Sequence, residues 1–115
     1  MTNSNLPFII EEKETPWKEA FALLCTKCLD RLPEELKSEE ILNLRSWLKN
    51  KLKEDGHWEK LRILTTGCQS YCPREGICLS WGIVNGQEPG KVWILAPTLD
   101  RESLYQALLS NLLTR

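Results

Sequence analysis

The first unbroken apolar run along the chain is Ala20-Phe21-Ala22-Leu23-Leu24, which ends directly at Cys25. A continuous run this short suits a strand covered on both faces, so the pattern predicts a first strand with Cys25 at its carboxyl end. Leu32-Pro33 halts regular structure. Beyond it Ile41, Leu44, Leu48 and Leu52 recur at three- and four-residue intervals, one apolar helical stripe with Trp47 beside it. Ser38 can cap that helix; Glu39 and Glu40 in its first turn, and Lys49, Lys51 and Lys53 toward its end, complement the helix dipole. Gly56 terminates it. The spacing therefore predicts a helix from Ser38 to Asp55 with one face against a sheet.

Leu61-Arg62-Ile63-Leu64-Thr65-Thr66 reads as a second strand, and a strand-helix-strand succession of this length favours a right-handed parallel crossover. Ile77 to Val84 and Lys91 to Leu95 read as two more strands, antiparallel neighbours joined through Asn85-Gly86-Gln87-Glu88-Pro89-Gly90. Thr98 or Asp100 can cap a last helix, Asp100 to Leu112, with Leu104, Leu108 and Leu112 on one face and Tyr105 and Leu109 alongside. Either face of the sheet is open to it. If the loop after Cys68 holds no helix, the order is β-α-β-β-β-α: an α/β domain with a four-stranded mixed sheet and two main helices. Residues 1–17 are polar apart from Leu6-Pro7-Phe8-Ile9-Ile10. They read as an N-terminal arm lying on the domain formed by residues 18–115.

A length of 115 residues suits a single core. The net charge of −1 supplies no field for a phosphate backbone, so nucleic acid is not an expected partner. No run approaches a membrane span, and Met1-Thr2-Asn3-Ser4-Asn5 lacks the basic and apolar regions of a signal peptide. A cytoplasmic protein is expected. Five cysteines change this bland picture. An odd number cannot pair off within one chain, and in a reducing compartment metal binding or redox chemistry explains them better than a disulfide framework.

Two residues separate Cys25 from Cys28, and three separate Cys68 from Cys72. Each pair can place two sulfurs on one side of a tight turn. If strands one and two are parallel, both pairs leave the same sheet edge, where open α/β sheets place ligands. Four thiolates would then converge, a donor set suited to an iron-sulfur cluster or a zinc ion. Lys27, Arg31 and Arg74 lie nearby in sequence and could lower the thiol pKa values, although most such residues are simply solvated. Cys78 falls inside an apolar strand and reads as a small core residue, with a substitute ligand as its second role. His57, alone at a helix end, is left out of the site. Trp81 and Trp93, on adjacent strands, are expected to pack as a cross-strand pair.

Cys25-Thr26-Lys27-Cys28 at a strand end, a long helix, then Thr66-Gly67-Cys68-Gln69-Ser70-Tyr71-Cys72-Pro73-Arg74-Glu75-Gly76 and a hairpin resemble the thioredoxin-like 2Fe-2S ferredoxins. The resemblance is closer to a predicted metal-binding branch of that group, in which Cys-x-x-Cys replaces a wider first spacing. It covers roughly Phe21 to Leu109. It implies a thioredoxin-like fold and a 2Fe-2S cluster held by Cys25, Cys28, Cys68 and Cys72. It also implies one-electron transfer or redox sensing with a redox partner protein, without enzymatic activity. A homodimer is an option.

Two other readings stay open. Four cysteines could close a structural zinc tetrahedron in an interaction protein. Alternatively, Cys25 and Cys28 could form a thiol-disulfide oxidoreductase pair, which leaves Cys68 and Cys72 without a role. Nothing in the chain points to hydrolase or transferase chemistry: no glycine-rich phosphate loop and no Gly-x-Ser-x-Gly occurs.

Overall fold

The computed structural model describes residues 7–15, 17–69, 76–84 and 90–113. Four strands, β1 (Ala20–Cys25), β2 (Leu61–Thr66), β3 (Ile77–Ile83) and β4 (Lys91–Leu95), form one mixed sheet in the order β2-β1-β3-β4. β1 and β2 are parallel, with Ala20 opposite Leu61 and Cys25 opposite Thr66. β1 with β3 and β3 with β4 are antiparallel. The expected α/β class, the mixed four-stranded sheet and the parallel crossover are all present.

The helices differ from the two expected. α1 (Thr26–Arg31) follows β1 without a gap, where no helix was expected. The Ser38 to Asp55 helix is divided at Asn43 into α2 (Glu39–Leu42) and α3 (Leu44–Glu54), and a 3-10 turn, Glu34–Leu36, precedes them. Asn43 has φ −101° and ψ 16°. Asparagine is a poor helix former, so a distortion there costs little. Ser38 caps α2 as expected, its Oγ accepting the Ile41 N–H at 3.2 Å. α4 (Arg101–Leu112) is capped by Asp100, whose Oδ2 accepts the Ser103 N–H at 3.1 Å.

Register and burial together define the two faces of the sheet. One face carries Ala20, Ala22, Leu24, Leu61, Ile63, Ile77, Leu79 and Trp81, all buried. α3 meets it through Leu44, Leu48 and Leu52, and α4 joins through Leu104, Tyr105, Leu108 and Leu112. α4 thus packs beside α3: Trp47 and Tyr105 meet edge-on at 6.2 Å, and the Tyr105 hydroxyl donates to Asp55 Oδ2 at 2.5 Å. Tyr105→Phe removes the hydrogen bond that joins the end of α3 to α4. It should lower unfolding free energy by about 1 kcal/mol, measured by urea denaturation. Trp81 and Trp93 form the expected pair, ring centroids 5.5 Å apart at 74°, diagonal across the register because Trp93 lies opposite Leu79.

At the β2 edge, Arg45 Nε donates to the Ile63 carbonyl at 3.2 Å. Lys49, Lys53 and Arg62 crowd the ring of Trp58. Lys53, then Arg45, hold the Lys49 ammonium below its ordinary pKa. Along the arm, Phe8 and every residue from Ile10 to Thr15 are exposed. Among the described residues no helix is long and apolar enough to cross a membrane.

Candidate metal centre

Cys25 closes β1 and, at φ −78° and ψ 112°, serves as the N-cap of α1. Its Sγ accepts the Cys28 N–H at 3.4 Å. A sulfur here takes the place usually held by a serine or aspartate oxygen, so the Cys-x-x-Cys spacing itself builds the first turn of α1 and brings both sulfurs to one side. Two further bonds tie this turn to the neighbouring loop. Thr26 Oγ1 donates to the Thr66 carbonyl at 3.0 Å, and Gln69 Nε2 donates to the Leu23 carbonyl at 2.9 Å. The other amide atom, Gln69 Oε1, is buried with no hydrogen-bond partner.

Because Cys25 is opposite Thr66, Cys68 emerges two residues beyond the same edge of the sheet, where it is exposed. Cys72 and Arg74 lie outside the described residues, as does the 85–89 segment of the expected hairpin. Cys25, Cys28 and Cys78 are buried thiols. The β1–β3 register pairs Leu24 with Leu79, and one more step sets Cys25 opposite Cys78. α1 reaches β3 here. Burial pushes the Cys28 thiol up to about 12, a backbone hydrogen bond with Cys78 opposes that rise, and the side chain of Cys25 adds to it.

Cys78 is thus a core residue, as its apolar context indicated, and also a neighbour of the first cysteine pair. A sequence signal for this existed. β3 re-enters the sheet at the end where β2 leaves it, so a cysteine at its second position returns to the same edge. Lys27 and Arg31 are exposed on α1, and neither is among the groups that set the Cys28 thiol. His57 stays outside the cluster.

Among the described residues no three His, Cys, Asp or Glu side chains are arranged to hold one metal ion. The donor chemistry nevertheless fits a soft metal: three described members of the expected set are thiols at one sheet edge, and two share a tight turn. Metal binding would require Cys28 to lose a proton that burial now retains.

The raised Cys28 thiol has a consequence for the metal-free protein. A group with a higher pKa folded than unfolded contributes stability that is complete below the unfolded pKa and is lost as pH rises through the folded one. For Cys28 that window runs from its ordinary 9.0 to about 12. Tyr105, raised by burial and then by Asp55, acts in the same direction at alkaline pH. The melting temperature of metal-free protein should therefore fall progressively above pH 9, and Cys28→Ala should flatten that fall.

Compared with protein-family models, with curated proteins and with solved structures, the chain matches none.

Proposed function

We propose that this α/β protein is a thioredoxin-like, cytoplasmic iron-sulfur protein, using a 2Fe-2S cluster for one-electron transfer or redox sensing rather than as an enzyme. Cys25, Cys28, Cys68 and Cys72 would hold the cluster. The observation that carries this reading is the parallel register of β1 and β2, which releases Cys25 and Cys68 at one edge of the sheet. The N–H of Cys28 directed at Cys25 Sγ supports it, since the bond holds both cysteines of the pair in one tight turn. A bound cluster would supply a reversible one-electron couple, and a partner protein would exchange the electron.

A second reading, a structural zinc site, is favoured by one feature: Cys25 and Cys28 share a single turn, a bite suited to one ion. The thiol-disulfide reading is weakened by the burial of Cys25, because exchange requires access to the attacking sulfur. The test is the visible spectrum of protein purified without oxygen, with iron, sulfide and zinc assayed on the same sample. Brown protein with iron and sulfide in equal amounts supports the cluster. Colourless protein with one zinc supports the second reading. Metal-free protein with a reducible Cys25–Cys28 bond overturns both.

A further inference from the structure

The two edges of the sheet are unlike. β2 is guarded by cations, with Arg45 bonded to its Ile63 carbonyl and Arg62 beside it. β4, the other edge strand, reads Lys-Val-Trp-Ile-Leu, and its Val92 and Ile94 are 40% and 52% exposed. They alternate onto the sheet face opposite α3 and α4. An apolar edge strand with free backbone groups is a template for another strand. The same chain carries a second apolar segment without cover: Phe8 is 78% exposed and Ile10 fully so. Their i, i+2 spacing matches that of Val92 and Ile94, the period of an extended strand.

We propose that β4 takes up the arm of a second copy of this chain, residues 8–11 adding as an antiparallel fifth strand in a reciprocal exchange. One register satisfies every position. With Glu11 opposite Lys91, Ile10 falls opposite Val92, Phe8 opposite Ile94, and Ile9 opposite the partly buried Trp93. The apolar pairs share one face, and the opposite charges of Glu11 and Lys91 meet on the other. Among the described residues Glu11 pairs with Lys13, at 3.5 Å and in full view of solvent, a pairing that costs little to break.

The chain's own arm is less suited to this place. Glu19 continues the line of β1, its N–H donating to the Lys60 carbonyl at 3.0 Å and its carbonyl accepting the Val84 N–H at 2.8 Å, so the arm leaves from between β2 and β3. To lie along its own β4 it must cross three strand spacings, roughly 14 Å, and return about 13 Å along the strand direction. That is roughly 20 Å of the ~24 Å that residues 11–18 reach at full extension. A second copy carries no such constraint.

The test is sedimentation equilibrium of the full chain across micromolar concentrations, with hydrogen exchange on the same samples. A dimer is expected, with protection of residues 8–11 and 91–95 that rises with concentration. Ile10→Asp, at a fully exposed position that cannot disturb the core, should weaken the dimer on the order of a hundredfold. Glu11→Lys and Lys91→Glu should each weaken it about tenfold, and the double variant should restore it. A monomer at all concentrations overturns the proposal. So does protection that is independent of concentration, which would place the arm on its own β4. A dimer that survives Ile10→Asp but not Ile94→Asp also overturns it, since β4 strands would then pair directly.

Discussion

If the proposed cluster is bound, Cys68→Ser should empty its site and leave the domain folded. Cys68 is exposed at the end of β2, outside the core, so the substitution removes a thiol without opening a cavity. A hydroxyl does not replace a thiolate toward a soft metal. The loss should exceed the roughly 10–100-fold that follows removal of a group that only orients a ligand. Metal content and far-ultraviolet circular dichroism on one sample check this, with Cys25→Ser and Cys72→Ser expected to agree. Folding should survive because α3, α4 and the sheet already enclose a core, whereas a zinc finger without metal has none. Cys78→Ser should keep its metal and lose stability by about 1–3 kcal/mol, the cost of an imperfectly bonded hydroxyl in an apolar setting. Cys78 lies beside Cys28, so one outcome reassigns the ligands: if Cys78→Ser empties the site and Cys28→Ser does not, Cys78 is the fourth donor.

Leu48→Ala should be the most damaging single truncation in the helical layer. Leu48 is wholly buried midway along α3, between Leu44 and Leu52. Removing three carbons there loses transfer free energy and leaves a void that helix and sheet cannot both close, about 3 kcal/mol in all. That is a large share of the ~5–15 kcal/mol typical of a domain. It should lower the melting temperature by roughly 10 °C or more. Leu42→Ala, at an exposed position on α2, is the control and should change stability by less than about 0.5 kcal/mol. Urea unfolding of both variants, with unchanged m-values, is the measurement. A loss below about 1 kcal/mol for Leu48→Ala would mean that α3 is not packed on the sheet as described.

Much of the architecture is written locally. An apolar run without alternation marked β1 as a central strand, although its burial alternates, with Phe21 and Leu23 half-buried on the face away from α3 and α4. Ser38 and Asp100 marked helix starts because their oxygens accept the N–H groups that a first turn leaves unpaired. The strand-helix-strand order implied parallel β1 and β2, and with it the shared edge of Cys25 and Cys68.

Other features depend on partners distant in sequence. α1 has only six residues, too short to be stable alone. It forms where Cys25 caps it, Thr66 anchors its first residue and β3 receives Cys28. Whether α4 covers one sheet face or the other was settled by Tyr105 reaching Asp55, a contact no periodicity encodes. The strand order was settled likewise, β3 pairing with β1 rather than β2. That choice set Cys78 opposite Cys25 and made a core cysteine a neighbour of the candidate site. Periodicity specifies which face of an element is apolar; only the packed assembly specifies what that face meets, because burial is shared between elements and belongs to neither alone.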